Sequence, residues 1–197
     1  MQPMKRSDAT NGRFYQVREG VYYPSSTTVL SVMPLNPWLK KYLQTHTKLE
    51  ADQLLEQASL QGSKIHHTID LVLRGMKVSS KGYTSANILE CGLDPEGDKS
   101  LINYLKKPFS IKEDKMMKGF FAWYNEFEAE TIGSEVPIHS DKHENAGTLD
   151  WVGYITIKTK RKVRNTNKYQ IKKQRVLCVV DWKSGKGLYE SYDYQVA

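Results

Sequence analysis

The apolar residues of this 197-residue chain change their spacing at Glu130. Upstream they recur three and four residues apart, as in Ile65, Ile69, Val72 and Leu73, or in Met117, Phe120, Phe121, Tyr124 and Phe127. Downstream they alternate with polar residues over 132–138, 148–157 and 176–183. A period near 3.6 builds amphipathic helices and a period of two builds half-buried strands. The chain is therefore expected to be α/β (α+β), with a helical first part and a strand-rich second part. The segment between the last two strands sets their direction. Residues 158–175 hold nine Lys or Arg and no acidic residue. With no apolar stripe for a crossover helix, they predict a protruding hairpin and antiparallel strands.

Residues 1–20 mix Gly, Asn, Ser and charges without periodicity and read as a flexible N-terminal arm. Residues 21–197 then read as a single domain with the basic hairpin inserted in it. Tyr22-Tyr23-Pro24-Ser25-Ser26-Thr27-Thr28-Val29-Leu30 supplies hydroxyls that can cap a helix, and Asn36-Pro37 opens a short helix through Leu43. A helix over 48–60, with Leu54, Leu55 and Ala58 on its apolar side, is expected to stop at Gly62. Ser63 then caps a second helix, 64–74. Residues 75–97 read as a long loop and 99–106 as a short helix ending before Pro108. Ser110 and Glu113 form a capping box for a longer helix, whose aromatic stripe reads as core rather than a cofactor pocket.

Composition narrows the chemistry. With 26% charged and 39% hydrophobic residues, the chain is expected to be globular rather than disordered. Two cysteines, Cys91 and Cys178, make neither a disulfide framework nor a four-thiolate metal site, so no iron–sulfur cluster is expected. No apolar run reaches membrane-spanning length, and none near Met1 resembles a secretory leader. The net charge is +7. Outside 158–175 the other 20 basic residues face 22 acids, so the excess lies in one segment. Lys160, Arg161, Lys162, Arg164, Lys172 and Lys173 are candidate phosphate contacts of a polyanion, with affinity independent of base sequence. Tyr169 among them can stack on an unpaired base. A solvated tip that only aids solubility is the equal alternative.

Val179-Val180-Asp181-Trp182-Lys183-Ser184-Gly185 carries the strongest chemical signal. Alternation points Asp181 and Lys183 one way and Val180 and Trp182 the other. Alone, that is the pattern of a surface ion pair. Asp150, in Gly147-Thr148-Leu149-Asp150-Trp151-Val152-Gly153, changes this, because pairing of the last two strands brings it beside Asp181. Two converging carboxylates favour a hard cation between them, and Mg2+ uses one or two carboxylates together with substrate phosphate. A neighbouring lysine can orient water or neutralise charge on the phosphate. His66, bordering the apolar face of its helix, can reach that strand end or simply pack, and His67 is expected to face solvent. Ser184-Gly185-Lys186-Gly187 lacks the spacing of a phosphate-binding loop. It reads as a turn that leaves Lys186 near a bound backbone. His139 and His143, around Asp141 and Glu144, read as a polar hairpin loop.

Gly62 to His66, Gly147-Thr148-Leu149-Asp150, Asp181-Trp182-Lys183 and Tyr194-Gln195, in that order, resemble the PD-(D/E)XK nuclease superfamily, in its RecB-like exonuclease branch. Pro24 to Leu30 is similar to the N-terminal signature of mitochondrial genome maintenance exonucleases and their phage relatives. The likeness runs over roughly 22–196 in short islands. It implies a restriction-endonuclease-like α-β-β-β-α-β core with a mixed central sheet, an N-terminal helical region and, since relatives continue past the glutamine, a truncated C-terminal end. It implies Mg2+ or Mn2+ held by Asp150, Asp181 and the carbonyl of Trp182, with His66 as a further ligand. Lys183 is then assigned to the attacking water and scissile phosphate. Gln195 is assigned a supporting place on the helix after the catalytic strand, and Glu135 one on the first strand, where a plain surface residue is the equal alternative. The implied activity is a metal-dependent deoxyribonuclease, an exonuclease on single-stranded or frayed DNA ends serving repair or recombination. The alternative is a catalytically silent DNA-binding or packaging protein with the same fold. The resemblance also implies a cytoplasmic setting, bacterial or in a phage-infected host, with a mitochondrial one left open. Protein partners stay open.

Overall fold

Residues 5–24 form three short strands rather than a loose arm. The computed structural model describes residues 4–9, 11–33, 37–162 and 169–183. The first strands, β1 (Lys5–Ala9), β2 (Gly12–Arg18) and β3 (Val21–Pro24), make an antiparallel meander in the order β1-β2-β3. The arm expected over 1–20 is corrected accordingly. Its order was hidden because all five residues of β1 are exposed and show no apolar face. Main-chain pairing with β2 holds that strand, and Asp8 bridges Arg6 and Arg13 at 2.8 and 3.0 Å.

The chain divides into two compact units, where one domain over 21–197 was expected. The first comprises Met1–Gly62, Glu135–Leu149 and Gly185–Ala197. Its core is Tyr15, Tyr23 and Ala146, and the Tyr15 hydroxyl lies 3.2 Å from Thr148 Oγ1. The hydroxyl-rich run is used as expected. Ser25 caps α1 (Ser26–Leu30) by accepting the Thr28 amide, and Thr28 Oγ1 clamps Arg13 by accepting from its N–H and donating to its carbonyl. A Cβ on Gly12, where φ is +138°, would run into that Thr28 side chain. The helix opened by Asn36-Pro37 is α2 (Pro37–Thr45). The sequence places its start correctly.

The second unit comprises Ser63–Ser134 and Asp150–Ser184. The two helices expected on either side of Gly62 are one, α3 (Lys48–Leu73). A helical glycine costs only about 1 kcal/mol relative to alanine, and burial of Ile65, Ile69 and Leu71 just beyond it outweighs that. The expected 75–97 loop contains α4 (Ser85–Glu90), opened by a Thr84–Asn87 capping box. α5 (Lys99–Leu105) and α6 (Ile111–Glu126) follow, the latter headed by the Ser110–Glu113 box read from sequence. Ile65 and Ile69 of α3 pack on Met117 and Phe120 of α6. Leu71, Tyr83 and Leu105 form a second buried cluster.

β4 (Glu130–Ser140), β5 (Asn145–Lys162) and β6 (Tyr169–Val180) form a second three-stranded antiparallel sheet in the order β4-β5-β6. The β5–β6 register runs unbroken from Trp151↔Val180 to Lys162↔Tyr169, giving the hairpin expected from the basic segment. Both sheets are antiparallel among the described residues, where a mixed sheet was expected. Among those residues no helix is long and apolar enough to cross a membrane.

Candidate active site

Two tryptophans aim two carboxylates. Trp151 follows Asp150 on β5 and Trp182 follows Asp181 just past the end of β6. Alternation turns the indoles towards α6, where Trp123 meets both edge-on: Trp151 at 5.5 Å and Trp182 at 5.2 Å between ring centroids. Phe120, one turn earlier, meets Trp182 at 5.4 Å. Trp151 is fully buried, and its indole N–H donates to Thr131 Oγ1 at 2.8 Å. Gly153 lets the strands close, since a Cβ there would strike the Glu130 carbonyl and the Trp151 ring. The sequence reading missed Trp123. Its signal was its place seven residues after Met116 and three after Phe120, continuing the buried face of α6.

With the indoles fixed, Asp150 and Asp181 each lie one residue beyond the last registered pair, Trp151↔Val180, close enough for the two charges to act on each other. Asp150 Oδ2 accepts the Trp182 amide at 2.7 Å, and its Oδ1 lies 3.5 Å from His66 Nδ1. The opposite ring nitrogen of His66 is 3.0 Å from the Trp182 carbonyl. As donor to that carbonyl, Nε2 carries a proton. Asp181 and Lys183 face each other at 2.5 Å, on the same side as predicted. Four of the residues singled out from sequence (His66, Asp150, Asp181 and Lys183) and the Trp182 carbonyl thus converge at one strand end. His66 stands on α3, one turn before Asp70, whose carboxylate is bonded to Arg74 and Ser134.

Electrostatics separates the two carboxyls. Burial raises Asp150, but the His66 hydrogen bond and charge, the Trp182 amide and Lys183 more than offset it and hold the group below the usual carboxylate value. At Asp181 burial is only partly countered by Lys183, the Asp150 charge adds to it, and the group lies above that value. The two acids repel each other and draw on shared cationic groups.

The donor set suits a hard divalent cation. It offers two carboxylates, a carbonyl and an imidazole, with no thiolate. In the arrangement seen here Asp150, His66 and Trp182 bond to one another.

Glu135 belongs to the first unit, exposed in β4 with φ +50°, a left-handed backbone rare for a non-glycine residue. His67 is half-buried rather than solvent-facing. Asp141 is bound by Arg18 at 2.7 Å and by the Tyr23 hydroxyl at 2.8 Å, so the loop near His139 serves as a structural clasp. On the hairpin, Lys160, Arg161 and Lys172 are exposed and form no ion pair among the described residues. Lys173 instead rests on Glu128 at 3.0 Å, shared with Lys158 at 2.8 Å, and the two lysines hold that carboxylate down at about 2. Lys162 lies in β5 opposite Tyr169. Arg164, Lys186, Tyr194 and Gln195 are outside the described residues, as is the helix expected from Leu188.

No protein-family model, curated protein or solved structure matches the chain.

Proposed function

We propose that this protein is a metal-dependent nuclease that hydrolyses phosphodiester bonds in DNA, with the second unit as the restriction-endonuclease-like core. What carries the proposal is the tie from Asp150 to the Asp181–Trp182–Lys183 turn, which sets two carboxylates, a carbonyl, an imidazole and a lysine around one point. Asp150, Asp181 and the Trp182 carbonyl would hold Mg2+ or Mn2+, with His66 as a further ligand. Such an ion supplies electrophilic pull on a phosphoryl oxygen and acidifies a water. Lys183 leaves Asp181 to orient the attacking water and to offset negative charge on the phosphate. The oxygen of that water would bond to phosphorus as the ester P–O bond opposite breaks, the water's proton passing to solvent and the leaving alkoxide taking up a proton from solvent. Exposed Lys160, Arg161 and Lys172 retain the strand through its phosphates.

The test is cleavage of end-labelled linear and of circular single strands with Mg2+ or Mn2+, with Lys183→Ala as the control. Loss of the linear strand alone, abolished by the substitution, is the outcome expected of an exonuclease. Cut circles would make it an endonuclease. Intact strands of both kinds, with DNA still bound, would support the second reading, a silent binding protein. The mutual bonding of Asp150, His66 and Trp182 favours that second reading. Titration calorimetry separates the two readings: Asp150→Ala and Asp181→Ala each weaken Mn2+ binding in a nuclease, and binding unchanged in both would refute the site.

A further inference from the structure

Beside the carboxylates lies a half-open cavity of about 280 Å3. Its flat walls are aromatic: Phe120 and Trp123 of α6 and the indole of Trp182. Met116 adds a polarisable thioether, and His66 and Lys183 line it on the side of the charged groups. The indole N–H of Trp182 is buried and has no hydrogen-bond partner among the described residues. A buried donor left unmade is costly. Gly119 opens the cavity from α6, since a Cβ built on it meets nothing within 4 Å.

The geometry points to a pocket for one unpaired nucleobase, the base of the nucleotide whose phosphate meets Lys183. This deepens the nuclease proposal and rests on it for the position of the phosphate. A base is a flat ring with apolar faces and hydrogen-bond acceptors on its edge. The apolar faces are what the aromatic walls complement. The volume lies at the small end of ligand pockets, roughly 300–1,000 Å3, and suits a single ring system rather than a longer ligand. Charge favours the same occupant. The unit that contains the pocket carries exposed Lys160, Arg161 and Lys172, which attract a polyanion and not a neutral apolar solute. A duplex buries its bases in the stack, so the pocket selects frayed or single-stranded ends.

Gly119→Leu fills the space from a helix position where leucine is the better helix former, and Gly119→Ala adds one methyl and leaves most of it open. Both variants are first checked for unchanged thermal unfolding. Filter binding in metal-free buffer then compares a short single strand with the same strand ending in an abasic sugar. Stacking is worth roughly 1–3 kcal/mol per base, so the full chain should prefer the intact end by about tenfold. Gly119→Leu should reduce that preference to near unity while its affinity for the abasic strand stays the same, and Gly119→Ala should keep most of the preference. A preference that survives Gly119→Leu, or is missing from the unsubstituted protein, overturns the pocket. The cleavage assay keeps the two proposals apart. Base preference without Mn2+-dependent cleavage upholds the pocket and sinks the nuclease, and cleavage without base preference does the reverse.

Discussion

Lys64 has no accessible surface, yet it carries an ammonium group. It donates to the Lys107 carbonyl at 2.8 Å, lies over the Phe109 ring at 4.4 Å and faces Glu113 at 3.8 Å. Glu113 also accepts from the Tyr104 hydroxyl and the Ser110 amide, so the capping box read from the sequence is one side of a buried ion pair. Burial lowers the Lys64 pKa and Glu113 partly restores it. Removing one partner of such a pair strands the other charge, at a cost of about 3–5 kcal/mol. Lys64→Met should therefore lower unfolding stability by about that amount in urea titration, and adding Glu113→Gln should recover much of it. The sequence showed Glu113 as a cap but not Lys64 as its partner, because their pairing depends on where α3 meets α6. By contrast, Asp181 and Lys183 were legible as a pair because alternation is local and persists past the end of β6.

At the level of elements, α6 acts as the template for the carboxylates. Trp123 is the point where the two indoles meet, so Trp123→Leu leaves a void and loosens both Trp151 and Trp182. Large-to-small core changes of aromatic residues cost about 3–5 kcal/mol when taken to alanine. With leucine retained, a loss of about 2 kcal/mol is expected, accompanied by weaker Mn2+ binding in calorimetry. Intact Mn2+ affinity at reduced stability would show that Trp123 supports the fold alone. The hairpin has its own brace. Lys158 and Lys173 stand opposite one another, a repulsive pairing, and Glu128 joins them. The Glu128 pKa lies below its ordinary 4.5, so its contribution to folding is present above that value and fades as pH falls towards about 2. Glu128→Gln should free both lysines, tighten DNA binding and steepen its salt dependence at neutral pH. An unchanged salt slope would mean that the two lysines stay clear of phosphate. The strands of the second sheet, their hairpin and the head of α6 were readable from the period change and the capping box, whereas β1 to β3 were not. α4 and the continuity of α3 were not, since Gly62 and the Asn- and Ser-rich run carry turn chemistry that tertiary burial overrides.

Over the whole molecule, charge is sorted along the hairpin. Near its base, Lys158, Lys173 and Arg175 are tied to Glu128 and Glu130, and further out lie Lys160, Arg161 and Lys172, exposed and without acidic partners among the described residues. Each phosphate contact on a single strand contributes roughly 0.7 to the slope of log K against log salt. Deleting residues 160–174 should therefore make that slope less steep by about 2, and no change would make the hairpin a spectator. The segment's charge was plain in the sequence. Its division into braced and unbraced parts was not, because Glu128 and Glu130 sit some 30 residues upstream and reach it only through the sheet.

Three of the four tryptophans in the chain, Trp123, Trp151 and Trp182, stand edge to face within 5.5 Å of their neighbours. Indoles so close and so oriented couple their electronic transitions. The near-ultraviolet circular dichroism of the protein is thus dominated by the residues that aim Asp150 and Asp181. The chain carries its own optical gauge of that strand end, read without a label or a substrate.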